Sequence, residues 1–318
     1  ACSPPLRLGT VLVLAVAVGG VAVPLLTPYA TDQMIPGARL LPPSVEHPFG
    51  TDALGRDMLS RIAYGSHLAA RMAIFGVGLS LSIGLVLGSL AGYYGGWLDQ
   101  GISRVMDGWI ALPGALVAVV IVARLGASLE NLILALGLMG VPGFYRLVRS
   151  STLSVRRMPF VEAAVALGAT DRRVMWRHVF PNILSPLVVL ATIHSGTALL
   201  TGSSLSFIGL GAQPPMPEWG ALLAAGRNHF DTAWWLAVFP GLAVTATVVG
   251  LNMLGDGLRD VLDPRLATTV DRQEVRAEAE RARAICRGGA TAVARPERAQ
   301  GERHSRRPLR VAEVEPKS

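Results

Sequence analysis

The sequence predicts an all-α membrane protein that crosses the bilayer six times. Hydrophobic residues make up 51% of its 318 residues and charged residues only 16%, a composition typical of membrane proteins. The apolar residues are gathered into long runs, such as the uncharged stretch from Met72 to Leu98. A helix of about 20 apolar residues is enough to cross the hydrocarbon core. We therefore expect most of the chain to lie within the bilayer.

The first span is expected from Leu8 to Leu26, which contains no charged residue. The run is long for a secretory signal and no clear small-residue cleavage site follows it, so we interpret it as a transmembrane helix. Residues 1–30 form this N-terminal segment. Residues 31–70 are rich in Pro and Gly and are predicted to form an external loop.

The second span, Met72–Leu98, carries a small residue at every fourth position. Small residues at this spacing allow a neighbouring helix to approach closely. Because a helix has about 3.6 residues per turn, each step of four rotates the stripe by about 40°. We therefore expect the stripe to wind around the helix and to contact more than one neighbour. Its members are Gly76, Ser80, Gly84, Gly88, Gly92 and Gly96.

The third and fourth spans each contain a Pro-Gly pair. They are expected at Gly108–Ala123, with Pro113-Gly114, and at Asn131–Tyr145, with Pro142-Gly143. A break in a span frees backbone groups that need partners, so it belongs against protein or a water-filled cavity rather than lipid. We favour packing kinks over gates at both places.

The fifth span is expected to begin at Pro181, and the sixth covers Thr232–Gly255. Polar residues recur along the fifth span. Polar side chains within a membrane face the bundle interior or an aqueous path, so these residues are candidates for lining a translocation path. They are Thr192, His194, Ser195, Thr197 and Thr201.

Between the fourth and fifth spans, residues 156–181 form a loop polar enough to lie outside the membrane. A helix is expected from Pro159, since proline suits a first helical turn, and Glu162 in that turn favours the helix dipole. Gly168 should end this helix, and Thr170 with Asp171 can cap the next one.

Arginines predict the orientation of the chain. The central loop carries five of them against two acidic residues, Glu162 and Asp171, and the positive-inside rule places such a loop in the cytoplasm. With six spans, both termini are then cytoplasmic. From Arg265 onward, thirteen Arg or Lys face eight Asp or Glu, a net charge of +5. We expect residues 266–318 to form a basic cytoplasmic tail, disordered or touching lipid, and no nucleic-acid partner.

Several kinds of chemistry are disfavoured by the residues present. A phosphate-binding loop needs Lys followed by Ser or Thr at the start of a helix, but the only lysine is Lys317, so any nucleotide must be hydrolysed by another polypeptide. The six histidines lie far apart without metal-ligand spacing. A hydrolase built on His194 with Ser203 or Ser204 lacks a nameable base and oxyanion arrangement.

The central loop resembles the EAA signature of the membrane subunits of ABC importers. Glu162-Ala163-Ala164, Gly168 and Pro181 match it in order and spacing. His178 followed by Pro-Asn looks like the peptide-importing subgroup, whereas Phe180 stands where Leu is usual. Segments that resemble the same subgroup extend the similarity over roughly residues 47 to 265, and they are residues 47–57, 60–65, 205–220 and 254–265.

The resemblance implies a type I importer permease with a core of five transmembrane helices over residues 71–260 and cytoplasmic coupling helices in the loop. It implies half of a peptide translocation path in a bacterial plasma (inner) membrane, surrounded by lipid. The partners would be a second homologous permease, ABC ATPase subunits holding ATP and Mg²⁺, and an extracytoplasmic substrate-binding protein, with no cofactor bound directly. The residues that would couple to the ATPase are Phe160, Glu162, Ala163, Ala164, Leu167, Gly168, Asp171 and Pro181.

One alternative stays open at this point. An ion-coupled secondary transporter, or another membrane protein with several spans, could carry a similar loop without an ATPase partner. Such a carrier needs buried carboxylates on its spans, and Met72–Leu98, Asn131–Tyr145 and Thr232–Gly255 contain none. Asp256 and Asp260 lie beyond the last of these spans. The substrate itself, whether a dipeptide, a longer peptide, a nickel complex or haem, is left open.

Overall fold

The computed structural model describes residues 4–262, and the secondary structure of this part of the chain is helical. The tail predicted for residues 266–318 lies outside the described residues. The α-helices, in chain order, are α1 Pro4–Leu26, α2 Met58–Arg71, α3 Val77–Tyr94, α4 Gly96–Ile110, α5 Gly114–Leu125, α6 Leu129–Arg156, α7 Pro159–Ala166, α8 Asp171–Val174, α9 Phe180–Phe207, α10 Trp219–Gly226 and α11 Trp235–Leu262.

Two π-helical turns join neighbouring helices into longer ones. Met72–Gly76 continues α2 into α3, and Met175–Val179 continues α8 into α9. Each of the resulting helices is 37 residues long. At about 1.5 Å per residue, such a helix exceeds the thickness of the hydrocarbon core. Each is therefore long enough to extend beyond the hydrocarbon core.

Five helices of the described residues are long and apolar enough to cross a membrane. A sixth crossing arises if α4 and α5, which meet at a bend of 84°, count as one broken span. The third span was expected as Gly108–Ala123. Its expected break at Pro113-Gly114 is present, but helix begins already at Gly96, after a turn in which Gly95 and Gly96 adopt φ values of 67° and 60°.

The structure changes one expected break, at Pro142, and one expected span start, at Pro181, because a proline can lie within a helix. Pro142 lies inside α6, which runs without interruption from Leu129 to Arg156. Pro181 lies in a helix that already began before it. The Phe180 N–H donates to the Met175 carbonyl, five residues back. Because the hydrogen bonding just before Pro181 follows this π-helical pattern, the helix continues through a residue that has no N–H to donate.

The external loop expected over residues 31–70 ends at Asp57, because α2 begins at Met58. The Asp57 carboxylate accepts a hydrogen bond from the Ser60 N–H at 2.8 Å and so caps the helix. Arg61, a residue unusual in a span, donates to the Thr31 carbonyl at 3.0 Å. Contacts with distant residues thus stabilise α2 despite its mixed composition. The periodicity of the sequence alone does not predict this helix.

Helix α6 is the central element of the described bundle. Of its most apolar 18-residue window, 56% is buried within the protein, compared with 28% for each of the 37-residue helices and for α11. Helices α3 and α9 both pack against it. Helix α1 packs against α11, where a Cβ on Gly9 would lie 2.5 Å from the Leu254 nitrogen. The N-terminal helix is thus an integral part of the bundle.

Candidate functional site

The loop between α6 and α9 contains two short helices joined by a tight turn. Helix α7 ends at Ala166, and Gly168 adopts a φ of 82°. The Gly168 N–H donates to the Val165 carbonyl at 2.9 Å, and the Ala169 N–H donates to the Ala164 carbonyl at 3.0 Å. This pair of bonds is the Schellman motif, which requires a left-handed residue that glycine adopts without strain.

Helix α7 has one anchored face and one open face. Val161 is 2% exposed and belongs to an apolar cluster with Val155 and Val174. On the open face, Phe160 is 43% exposed and Leu167 is 88% exposed. Exposed apolar side chains of this kind are candidates for contact with another protein or with lipid. The remaining predicted coupling residues are exposed except for Ala164, which is half-buried, and they are Glu162, Ala163, Gly168, Asp171 and Pro181.

Glu162 was expected either to pair with a basic group of a partner or to cap its own helix. The side chain is exposed. Within residues 4–262, none of the ion pairs or side-chain hydrogen bonds involves Glu162, and the N-terminus of α7 has no side-chain cap. The carboxylate still favours the helix dipole from the first turn, and it is open to a partner from outside the chain.

Tyr93, at the end of α3, holds the loop in place. Its hydroxyl donates to the Asp171 carboxylate at 2.9 Å. Arg156, at the end of α6, donates to the Tyr93 carbonyl, and its guanidinium carbon lies 5.2 Å from the centre of the Tyr93 ring. Sequence reasoning missed this cluster because it treated Arg156 only as a charge. An aromatic pair at the end of a span, Tyr93-Tyr94, was the available signal.

The small residues of the second span contact a single helix, α6. A Cβ on Gly84 would lie 2.5 Å from the Phe144 Cβ, and a Cβ on Gly88 would lie 2.7 Å from the Val148 Cβ. The Ser80 hydroxyl donates to the Gly137 carbonyl at 2.6 Å. Toward the two ends of this contact, Gly76 lies near Ile133 and Gly92 lies near Thr152.

The expectation that this stripe serves more than one neighbour was therefore wrong. The contacted residues of α6 advance in step with those of α3, so the two helices wind about each other. A repeat longer than about 3.6 residues produces such winding with a right hand. Gly96 does not belong to the contact, since a Cβ there would have no atom within 4 Å. Its φ of 60° serves the turn that begins α4.

The polar residues proposed for a translocation path lie on two different faces of α9. At about 100° per residue, Thr192 and Ser195 lie on one face and the other three on a nearly opposite one. Thr192 and Ser195 line a cavity of about 350 Å³ between α3, α9 and α11. Three of the hydroxyls donate to the carbonyl four residues earlier in α9. They are Thr192, Ser195 and Thr197.

On the other face, His194 packs against α6. Its ring centre lies 5.0 Å from that of Phe144, and a Cβ on Gly143 would lie 3.3 Å from its Nε2. Thr197 is exposed and Thr201 is half-buried. The single polar stripe expected from the sequence is therefore absent from the described part of α9.

The segment 47–57, to which sequence reasoning assigned no chemistry, connects helices at one end of the bundle. His47 and Asp57 are both buried and contact each other at 2.9 Å. The Trp235 indole donates to the Thr51 carbonyl at 3.1 Å, which fastens the segment to the start of α11. Its role in this structure is to position α2 and α11.

A second fastening lies between the end of α9 and α10. Glu218 is 1% exposed, accepts a hydrogen bond from the Ser203 hydroxyl at 3.0 Å and caps α10. The Trp219 indole donates to the Ile62 carbonyl at 2.9 Å. Helices α2, α9, α10 and α11 are therefore linked by buried hydrogen bonds at one end of the bundle.

The described residues thus form a bundle of apolar helices with an anchored, exposed loop between two of them. Residues 84–268 match the family model described as binding-protein-dependent transport system inner membrane component. The chain belongs to this family, the permease subunits of ABC importers, and is a membrane protein with several spans. The loop 156–181 and helices α6 and α9 lie within the matched region, which begins partway along α3.

Relatives and a solved structure agree with this assignment. The chain is 45% identical over 258 residues to the dipeptide transport system permease protein DppC of Alkalihalophilus pseudofirmus, covering 81% of this chain and 85% of the relative. It is 45% identical over 224 residues to the glutathione transport system permease protein GsiD of Pectobacterium atrosepticum, covering 70% and 74%. A chain of the inward-facing MetNI methionine ABC transporter shares the fold, with a TM-score of 0.53 at 18% identity over 65% of this chain and 98% of that one.

Proposed function

We propose that the chain forms half of the translocation path of a peptide-importing ABC transporter and that α7 transmits the motion of a partner ATPase to it. The observation that supports this most strongly is the two-sided character of α7. Its open face presents Phe160 and Leu167, while Val161 on its other face is buried in the apolar cluster. A displacement of α7 would therefore be passed to the bundle rather than lost in a mobile loop.

Three spans would receive this motion. Val155 and Arg156 belong to α6, Tyr93 belongs to α3, and Asp171 begins the long helix that includes α9. The contacts among them join the loop to the ends of all three helices. Because interiors are packed closely, small shifts at one end move whole helices. The path between them could then alternate between inward-facing and outward-facing states.

The partners that we propose are those expected for a permease subunit of this family. A second homologous permease subunit would complete the path, and two ATPase subunits holding ATP and Mg²⁺ would supply the energy. An extracytoplasmic binding protein would deliver the substrate. DppC and GsiD are described as permeases for dipeptide and for glutathione, so a short peptide is the substrate class that we propose.

The proposed orientation places the loop 156–181 and both termini in the cytoplasm. Val45, which is 100% exposed, would then lie outside, and Leu167, which is 88% exposed, would lie inside. With Cys2 and Cys286 replaced by serine, a Val45→Cys variant should react with a membrane-impermeant maleimide in intact spheroplasts. A Leu167→Cys variant should react only in inside-out vesicles. The opposite labelling pattern would refute this topology.

Contact between α7 and an ATPase can be tested with the same cysteine-free background. In membranes that contain the partner subunits, Leu167→Cys should crosslink to the ATPase through a short maleimide–diazirine reagent, whose maleimide bonds to the introduced thiol and whose diazirine inserts into the neighbouring chain on illumination. Val45→Cys is the matched exposed control and should give no such product. If the ATPase co-purifies but crosslinks at neither position, α7 is not its contact. If no ATPase co-purifies, the ion-coupled alternative regains support.

A further inference from the structure

A basic depression lies where the loop joins α9. Thr170, Arg172, Arg173 and Trp176 line an open space of about 420 Å³. Both arginines are exposed, and the indole of Trp176 is 65% exposed. Within residues 4–262, the ion pairs do not include Arg172 or Arg173. The neighbouring carboxylate of Asp171 accepts the hydrogen bond from Tyr93. The depression therefore combines positive charge with an aromatic side chain.

An apolar groove begins at the same tryptophan. It has a volume of about 220 Å³ and is bounded by α3 on one side and by the π-helical turn and α9 on the other. The Trp176 ring lies 5.4 Å from that of Phe180, which also lines the groove. Trp176 thus lies between the basic depression and the apolar groove, and it lines both. The residues that line the groove include Leu85, Val86, Ser89, Met175, Val179 and Ile183.

The groove continues along α3 into two further apolar cavities. Leu85 and Phe180 are shared with the cavity of about 350 Å³ between α3, α9 and α11. Leu81 and Ser195 are shared between that cavity and a third, of about 470 Å³, which reaches Ala73. From Leu90 to Ala73, at about 1.5 Å per residue, this series extends for roughly 26 Å along α3. That length is close to the thickness of the hydrocarbon core, which is about 30 Å.

We infer that this site binds an anionic phospholipid, with its phosphate in the depression beside Arg172 and Arg173 and an acyl chain in the groove. Charge complementarity selects this occupant. A transmembrane helix of a partner would fill the apolar groove but would offer no negative group to the arginines. Arg binds phosphate oxygens through paired N–H donors, and Trp prefers the level of the lipid headgroups. Basic pockets on the cytoplasmic side are suited to anionic headgroups.

The inference rests on the proposed orientation, in which this end of α9 lies at the cytoplasmic leaflet. It adds a consequence for coupling. Trp176 belongs to the π-helical turn that joins the loop to α9. A lipid held there would contact the π-helical turn and α9 on one side of the groove and α3 on the other. The stability of this turn would then depend on the anionic lipid content of the membrane.

Native mass spectrometry of the full chain with its partner subunits tests the site. The probes are equal amounts of dioleoyl phosphatidylglycerol and dioleoyl phosphatidylcholine added to the delipidated complex. We expect preferential retention of phosphatidylglycerol. Because each basic residue near an anionic headgroup contributes roughly a fivefold factor, the double variant Arg172→Gln/Arg173→Gln should bind this lipid about thirtyfold more weakly. Its binding of phosphatidylcholine should not change.

Two further variants distinguish the contribution of the arginine charges to lipid binding from that of the apolar groove. Arg177 is an exposed residue of the π-helical turn and does not line the depression. The Arg177→Gln variant should therefore still prefer phosphatidylglycerol to phosphatidylcholine. Ser89→Phe fills the groove and should weaken retention of both lipids. Equal binding of the two lipids by the wild-type complex, or full retention by the double variant, would overturn the inference. A crosslink from Ser89→Cys to the partner permease would also overturn it, since a protein helix would then occupy the groove.

Failure of the lipid site can be distinguished from failure of the proposed function. The Leu167→Cys crosslink to the ATPase is measured in the same preparations. A complex that crosslinks at Leu167 but shows no lipid preference would retain the coupling role and lose only the lipid site. A complex that prefers phosphatidylglycerol but does not crosslink at Leu167 would retain the lipid site and lose the coupling role.

Discussion

Replacing Gly84 with leucine is expected to prevent the chain from reaching its folded state. A Cβ at this position would lie 2.5 Å from the Phe144 Cβ and 2.9 Å from the Tyr145 nitrogen. Both atoms belong to the central helix α6, and one of them is backbone. No rotamer change can relieve the collision, so α3 and α6 would have to separate. Overpacking by single methylenes already costs about 1–3 kcal/mol in a well-packed core, and leucine adds several carbons.

Gly78 provides the matched control on the same helix. A Cβ there would have no atom within 4 Å, so Gly78→Leu should be recovered as folded protein. The measurement is size-exclusion chromatography in mild detergent, followed by thermal aggregation of the recovered fraction. Gly84→Ala should be recovered but destabilised by about 1–3 kcal/mol. Equal recovery and equal thermal stability of Gly84→Leu and Gly78→Leu would show that the close approach of α3 and α6 is not essential.

The membrane-spanning character of this chain was predictable because it depends on composition and on apolar runs, which are properties of short segments. The boundaries were less predictable because they depend on partners distant in sequence. Helix α2 begins at Met58 although its composition is mixed, since Arg61 and Ile62 bond to residues far away in the chain. The helix of the fifth span does not begin at Pro181, because a π-helical turn joins it to the residues before it. Neither fact is visible in a hydropathy pattern.

The loop shows the same division between local and distant causes. The end of α7 at Gly168 follows from local rules for a residue with positive φ, and the structure has that geometry. Tyr93, by contrast, reaches Asp171 across 78 positions, a pairing that a single sequence does not predict. The faces of α9 were missed for a different reason, because the rotation of about 100° per residue was not applied to this span. Counting polar residues along a span does not show that Thr192 and His194 point in nearly opposite directions.

Replacing Gly168 with arginine is expected to abolish transport while leaving the protein folded in the membrane. Gly168 is exposed, and a Cβ there would have no atom within 4 Å, so no part of this chain is displaced. Two other effects remain. The φ of 82° costs a residue with a Cβ about 1–2 kcal/mol. The arginine also places a long cation on the surface that we propose meets the ATPase. Uptake of a labelled dipeptide should fall to background.

Two smaller variants at the same position separate these effects. Gly168→Ala keeps the backbone cost without the bulk, so it should disfavour the turn by about five- to thirtyfold and lower uptake in part. Asparagine tolerates the left-handed conformation, so Gly168→Asn should transport nearly as well as the wild type. Uptake is measured beside ATP hydrolysis stimulated by the binding protein, since uncoupling should remove the stimulation together with transport. Normal uptake by Gly168→Arg would refute the coupling role of α7. An inactive Gly168→Asn would show that some property of glycine other than its φ is required at this turn.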